Sequence, residues 1–581
     1  MNDITSPYIK LFVNKGIKWH FAVSDELIKK AERENKLLFI HIGYIGNIVN
    51  RELSSTLFGD MQTIEILNNN FVSIIADREE KPETFLLGLD LLHMQNDFSY
   101  GPINIIALPD RRPLLAFSSI TPEEFAEISE SLIIANIEKR ELLQKLAEEF
   151  SETLSEVGKV RVRESSNNIN REVIDNYFRH WEEIDFTEYF FNKLKPYTPD
   201  PNFIYLLEYL HYKDSEYIEK IIYNYLNHIQ FSPVFDPIDG GIFRQATDFS
   251  CLKPLFEKGL SENSRFLMFY ALASKYFNKD TFAFTANEIF RFIKEEMDEA
   301  DGGICNSVTL LTPIQDSHYY FYSIKELKYL FPENYKEVGR SLGFNMDLDE
   351  HVKQLPINGI ESSSALFPEE RDILSKRRRE HTGYFKDKRF ITASNCDAIN
   401  SIALASKYLN NSDMLKYAED KFEYIRNEVF ESDKLICRCL CGKDKRERAS
   451  LSDYTYYIQS LLTFYEITAG EEYLAEAVIL TDAAISRFYK RENGMFAKSQ
   501  GEESIFPFGR ESNLDLILPS INSVMTGNLI NLYIYTGRKE YLKIAEGQIN
   551  NVIPVMLSSG QMLLSWGFHL IKYYDALRLT S

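Results

Sequence analysis

Cysteine is missing from the first 250 residues of this 581-residue chain; all six, Cys251, Cys305, Cys396, Cys437, Cys439 and Cys441, lie beyond them. Thiol-disulfide exchange needs an activated thiolate and a resolving partner, so no redox pair can form in the N-terminal part. The run CRCLC, Cys437 to Cys441, alternates with a period of two and would set three thiols on one strand face. It holds no histidine and lacks the two-residue gap of a zinc knuckle, so its cysteines read as small buried side chains or reduced surface thiols rather than metal ligands. No apolar run approaches the roughly 20 residues of a membrane helix, and MNDITSPYIKLFVNKG has no basic stretch followed by an apolar one. A cytoplasmic chain without a membrane partner is expected. Positive charge is scarce as well, with 65 Lys and Arg against 86 Asp and Glu and a net charge of −21, which argues against nucleic acid. One basic run, Lys376 to Arg379, goes against that trend and reads as a solvated helix end rather than an anion site. Phosphate-cradling glycine loops, HExxH and GxSxG are absent, and DGG at Asp239 and Asp301 lacks the rest of a calcium loop, so neither cofactor nor metal is expected.

What is present is apolar and aromatic: 44% and 13% of the residues, enough for two or three domains. From Trp19 to about Ile134, apolar runs of strand length (LLFIHI, FVSIIAD, INIIALPD, LLAFSS) alternate with helical stretches, which indicates an α/β layer. Thr121 and Glu124 form a capping box with Pro122 at the first helical position. Residues 1–135 are read as this domain and 136–170, charged and poor in aromatics, as a connecting helix and linker. From 171 to 581 the chain repeats itself. ALASKYFNKDTFAFTANEIFRFIKEEM at Ala271 is echoed at Ala403, Phe464 and, more faintly, Leu532, each copy a helix end, a polar turn and a second helix. Short ribbons such as DGGIFRQ and DGGICNS recur with these hairpins. About six hairpins, each burying its face on the next, predict an all-α (α/α)6 toroid with a pocket at the ribbon end.

The segments SPYIKLF, KAERENKLLFIHIGY, DREEKPE, GPINIIALPD, DGGIFRQATD, FEKGL, ITASN, LSDYTYYIQSLL and LPSINSV follow one another as in the spermatogenesis-associated protein 20-like, or YyaL-type, family. The chain resembles that family over nearly its whole length. The resemblance implies a multidomain fold, an α/β thioredoxin-like domain followed by a six-hairpin barrel similar to those of N-acylglucosamine 2-epimerases and six-hairpin glycosidases, with a carbohydrate-sized pocket. Where the family carries Cys-His-Trp-Cys-His, this chain has Asn47, Ile48, Val49, Asn50 and Arg51. Pro102 matches the cis-proline that faces the dithiol. The thioredoxin-like fold is therefore expected without its redox chemistry, Asn47 and Asn50 capping a helix or meeting a partner.

In the barrel, the family's PHFEKM reads Pro254 to Gly259 and its TAWNG reads Thr392 to Cys396, so a histidine and a stacking tryptophan are lost. The family's GGFG segment has no counterpart. Retained carboxylates, Asp248, Glu257, Asp453 and Asp515, are the candidates for general acid and base. Arg244, Lys258, His318, Asn395, Tyr454 and Asn522 are candidates for ligand binding. The competing reading has them capping inner helices and satisfying buried backbone. Arg244, Asp248, Glu257, Asp453 and Asp515 are expected to meet at the funnel mouth. Two functions remain open: a barrel that binds, and possibly transforms, a sugar-like small molecule with isomerase, epimerase or glycosidase chemistry, or a non-catalytic scaffold for a protein or peptide partner.

Overall fold

The apolar run LLFIHIG forms the centre of a five-stranded sheet in the computed structural model, which describes residues 4, 6–97, 101–156, 169–185, 197–311, 318–358, 368–430, 437–441, 444–445, 449–497, 505–507, 513–559 and 563–578. The chain divides into two units, Met1–Lys159 with Phe496–Ser512 and Val160–Met495 with Asn513–Ser581.

In the first unit the strands are β1 (Trp19–His20), β2 (Leu37–Gly43), β3 (Phe71–Asp77), β4 (Ile103–Ala107) and β5 (Pro113–Phe117), in the spatial order β1-β3-β2-β4-β5. β1 and β2 run parallel to β3, while β4 is antiparallel to both β2 and β5. All seven residues of β2 and of β3 are buried, which is why both read as continuous apolar runs rather than alternating ones. The Gly101–Pro102 peptide at the start of β4 is cis. Thr121 and Glu124 make both bonds of the capping box, at 3.2 and 2.8 Å. The charged helix Arg140–Glu156, expected as part of a connector, buries Leu143, Ala147 and Leu154 and belongs to the first unit. Residues 157–168, the rest of the expected linker, lie outside the described residues.

Among the described residues of the second unit, six inner helices follow one another around a closed ring. They are Ile204–Tyr209, with the short turn Pro201–Phe203 before it, then Leu260–Phe277, Thr392–Leu409, Leu451–Thr468, Ile521–Thr536 and Leu564–Arg578, the last packing back on the first. Outside them lie Glu216–Gln230, Asp280–Phe292, Ser412–Glu428, Glu471–Phe488, Lys539–Ser559 and, against the sixth inner helix, Arg171–Glu183. The repeats end alike: Asn278, Asn410, Ala469 and Gly537 all take the left-handed conformation, and each amide closes the inner helix by bonding the carbonyl four residues back. They also begin alike. Asn263 accepts from the Ile242 amide at 2.6 Å and donates to the Ile242 and Gly259 carbonyls; Asn395 does the same to Ile304 at 3.0 Å and to Ile391. Each clamps the isoleucine of a DGGI ribbon to the start of an inner helix.

The basic run is not the solvated helix end that its composition indicates. Arg377 and Arg378 of helix Pro368–Arg379 are buried; Lys376 and Arg379 stay largely open, the latter bonded to Glu296. Arg377 meets Glu326 and donates to the His318 carbonyl, and Arg378 bonds Asp236 and Asp239 at 2.7–2.9 Å. Their partners lie as far as 142 positions away in sequence, so local composition could not reveal them.

Candidate functional site

Inner helices of a ring present one stripe to the axis, and polar side chains on that stripe converge although they are far apart in sequence. Four of these helices contribute their sixth residue to such a set, Arg265 in the second, Asp397 in the third, Tyr456 in the fourth and His569 in the sixth, whereas Thr526 at that position of the fifth bonds Gln548 and Tyr209 of the first stacks on Phe178, both on outer helices. Arg265 donates to both Asp397 oxygens, Nε to Oδ2 at 2.9 Å and Nη2 to Oδ1 at 2.6 Å, the fork geometry in which guanidinium binds carboxylate best. Its Nη2 also reaches the Tyr456 hydroxyl at 3.5 Å. Tyr205, half-buried on the first inner helix, feels the charges of Arg265, Asp515 and Asp397, while burial pushes its hydroxyl up to about 12. Its ring lies 5.5 Å from that of Phe568 and 6.5 Å from that of His569.

Asp515 joins this cluster through Arg265 and Tyr205. It is held by the Ser520 amide at 2.8 Å, the Ser565 amide at 2.7 Å and the Ser565 hydroxyl at 2.5 Å. Burial outweighs those bonds and raises its carboxyl to about 6. His569 is neutral, pushed down to about 3 by burial and by Lys572, and its Nδ1 has no hydrogen-bond partner. Gly527 allows the fifth inner helix to approach it: a Cβ there would stand 2.3 Å from His569 Cε1.

A second cluster adjoins the first through Glu262, whose charge acts on Asp397. Arg244 pairs with Glu257 and, through Nε, with Glu262 at 2.8 Å. The structure thus pairs Arg244 with Glu257 directly, and Asp515 connects to that pair by way of Arg265, Asp397 and Glu262. Lys258, on the same short ribbon, donates to Asp236 at 2.7 Å and to the Gly240 carbonyl at 2.6 Å, with the Phe292 ring 4.6 Å away. Burial would raise the Asp236 carboxyl, yet Arg378 and Lys258 together hold it below the usual carboxylate range.

The remaining candidates have local partners. Asp248, half-buried, accepts from the Ser250 amide in a turn. Asp453 closes a capping box with Ser450, accepts from the Ala393 amide at 3.2 Å and meets Arg438 at 3.5 Å. Asn395 is a ribbon clamp. The Tyr454 hydroxyl accepts from Arg487 of an outer helix at 2.8 Å, and Asn522 accepts from Gln548 of another at 3.0 Å. His318 is exposed and gives its carbonyl to Arg377. In these bonds the side chains satisfy backbone or join inner helices to outer ones. Arg265, Asp397, Tyr205, Tyr456, Glu262 and His569 were not among the sequence candidates. The signal that could have found them is the repeat itself: two residues beyond the matching Asn263 and Asn395 stand Arg265 and Asp397, opposite charges at one position of neighbouring repeats.

In the first unit, Asn47 caps helix Ile48–Glu52, accepting from the Val49 and Asn50 amides at 2.9 and 3.3 Å. Asn50 is fully buried, and neither amide atom of its side chain has a partner. Beneath it runs a closed chain of bonds. Asn104 donates to the Ser118 carbonyl at 2.7 Å, so its oxygen faces His41 Nδ1 at 2.7 Å, which must carry the proton. His41 Nε2 then accepts from the Tyr8 hydroxyl at 2.6 Å. Burial lowers His41 to about 4, among the rings of Phe12, Trp19 and Phe58. Among the described residues no three His, Cys, Asp or Glu side chains gather as a metal site, and no helix is long and apolar enough to cross a membrane.

Residues 1–163 match the family model Thioredox_DsbH, described as protein of unknown function DUF255. Spermatogenesis-associated protein 20 of Rattus norvegicus is 22% identical over 602 residues, which cover 92% of this chain and 76% of that protein. An uncharacterized protein of Caenorhabditis elegans is 22% identical over 614 residues, covering 95% and 83%. Among solved structures, a GH76 alpha-mannanase of Bacteroides thetaiotaomicron gives a TM-score of 0.42 at 12% identity, over 70% of this chain and 98% of that one. Cellobiose 2-epimerase from Bacillus thermoamylovorans gives 0.37 at 12% identity, over 58% and 72%. The DUF255 family model thus matches the unit that holds the five-stranded sheet, and the likeness to spermatogenesis-associated protein 20 runs on through the second unit.

Proposed function

We propose that the second unit binds a sugar-like small molecule on the ring axis, and that the first unit performs no thiol-disulfide exchange. The observation that carries the binding reading is the convergence of Tyr205, Arg265, Asp397, Tyr456 and His569, one from each of five inner helices, with Asp515 beside them. Tyrosine and phenylalanine rings give a sugar ring apolar faces to lie on, and the carboxylates and guanidinium match its hydroxyls. Asp515, with a carboxyl near 6, could exchange protons with such a ligand near neutral pH, while neutral His569 could hydrogen-bond its hydroxyls, which fits isomerase, epimerase or glycosidase chemistry. In the first unit, asparagine side chains stand where thiols would have to be, and amides can neither attack nor resolve a disulfide. The reading places the chain in the cytoplasm, where free thiols such as Cys251, Cys305 and Cys396 stay reduced. The scaffold reading has one support, the unpartnered amide of Asn50.

Thermal unfolding of the full chain with a panel of hexoses, amino sugars and disaccharides tests this. A bound sugar at 100 times its Kd adds about 2.7 kcal/mol of stability. The double variant Arg265→Met/Asp397→Leu, which removes the buried pair together, should lose the shift while remaining folded. No shift with any sugar, or a shift retained by the double variant, would replace this reading with the scaffold.

A further inference from the structure

Beyond the Arg265 layer, towards the C-terminal ends of the inner helices, a second set of side chains gathers on the axis. Lys572 stands on the sixth inner helix, one turn beyond Phe568 and His569, and it feels the charges of Glu208 on the first and Glu466 on the fourth. The first and fourth helices face each other across the ring, so a charge that answers to both lies between them. Tyr408 on the third helix feels the same two acids, and Tyr535 on the fifth feels Glu466. Half-buried Lys572 holds its Nζ 5.8 Å from the centre of the Phe568 ring, which lies 5.5 Å from that of Tyr205, so the two layers share a wall. Among the described residues no hydrogen bond or ion pair engages this amine. Its acids are taken up elsewhere: Glu208 Oε2 lies 3.9 Å from His211 Nδ1, and Glu466 accepts from Lys407 at 2.9 Å. Burial accordingly lowers the Lys572 ammonium from its usual range, against the pull of both acids, and raises the Glu208 carboxyl. Partners in an ion pair hold each other charged; here each group is driven towards its neutral form. A desolvated lysine with no partner beside an aromatic wall is a nucleophile.

We propose that Lys572 forms an imine with the aldehyde of an open-chain aldose. The proposal rests on the binding function above and narrows its ligand to a reducing sugar, whose carbonyl carbon is free to react. The lone pair of Nζ attacks the aldehyde carbon and forms the C–N bond, and a proton of the amine moves to the carbonyl oxygen. The hydroxyl so made takes a proton from the Glu208 carboxyl and leaves as water. What remains is a protonated imine with the Glu208 carboxylate as its counter-charge, and no oxidant or further reactant is consumed. The Phe568 and Tyr205 rings offer the sugar carbons an apolar surface, while Arg265, Asp397 and Asp515 can meet hydroxyls further along the molecule.

The test incubates the full chain with D-glucose or D-glyceraldehyde at neutral pH, reduces any imine with cyanoborohydride and maps the modified lysines by peptide mass spectrometry. The expected result is a secondary amine at Lys572 with an occupancy at least about tenfold that of exposed lysines such as Lys29 and Lys539, the factor that each unit of lowered pKa adds to the free-amine fraction. Occupancy at Lys572 no higher than at those two overturns the proposal. Lys572→Arg, which keeps the charge, should abolish this adduct and spare the exposed ones, with an unchanged melting temperature showing that the fold persists. The double variant Arg265→Met/Asp397→Leu should lower the glucose adduct several-fold and leave the glyceraldehyde adduct, since the shorter aldehyde does not extend to that pair. An undiminished glucose adduct would show a reactive amine without a sugar site and overturn the proposal. A thermal shift with a reducing sugar but no adduct at Lys572 overturns the proposal and leaves the binding function standing; neither shift nor adduct overturns both.

Discussion

In the first unit, one set of polar groups answers in a line: the Tyr8 hydroxyl to His41, His41 to Asn104, Asn104 to the Ser118 carbonyl, with Tyr8, His41 and Asn104 free of exposed surface. In the second, Arg265, Asp397, Tyr456, Tyr205 and His569 come from separate helices with Asp515 beside them; all but Asp397 keep slivers of surface, and one nitrogen of the set has no partner. A closed chain of hydrogen bonds rigidifies a core and has nothing left to offer a ligand. A converging set with an open edge has donors and acceptors to spare. The contrast separates polar residues that fix a fold from those able to recognise something, and burial alone does not make the distinction.

Three measurements can break or sharpen it. The largest effect is expected at the axis: Asp397→Leu leaves the Arg265 guanidinium buried without its carboxylate and should lower stability by about 3–5 kcal/mol in urea titration, most of it recovered by adding Arg265→Met. If the single change is nearly neutral, the pair is not the fixed element described above. The second effect is a pH profile. His41 has a folded value lowered from 6.5 to about 4, so below 6.5 the unfolded chain takes up a proton that the folded one refuses. Stability should therefore fall as pH drops from 6.5 to 4, by about 3 kcal/mol for this group, and His41→Gln should flatten that part of the profile. Asp515 acts in the other direction. With its value raised from 3.8 to about 6, it loses stability as pH rises through that window, so Asp515→Asn should gain on the wild type between pH 4 and 7. The smallest effect is at Asn50, where Asn50→Leu replaces two unbonded buried amide atoms by a similar apolar shape and should raise stability by about 1–2 kcal/mol. A loss there would reveal a polar partner that the amide serves.

The α/β layer, the repeats and the ring were legible because each depends on local pattern: apolar runs for β2 and β3, and helix, turn and helix recurring from Ala271. The site was legible only in part. Arg244, Glu257 and Asp515 could be named because they lie beside segments shared with the family. Asp453 and Asn395, named on the same grounds, cap and clamp backbone, and sequence cannot tell an acid at a helix start that faces its own amides from one that faces a ligand. Arg265 and Asp397 escaped notice because they stand 132 positions apart and meaning attaches to them only as a pair. The arginines of SKRRR were misjudged for the same reason: their acids lie on other elements.

The two ribbon clamps bear on the order in which the ring can assemble. Asn263 reaches back 21 positions to Ile242, whereas Asn395 reaches back 91 to Ile304, with the segment that contains helix Pro368–Arg379 looped out between them. Closing the longer loop costs about 1.3 kcal/mol more chain entropy by the logarithmic rule, and contacts so distant in sequence form late. The first clamp can close as soon as one hairpin has left the ribosome; the second must wait for the intervening segment to fold on itself. A pulse-labelled hydrogen-exchange trace should accordingly show the Ile242 amide protected before that of Ile304, giving two chemically identical locks different places in time.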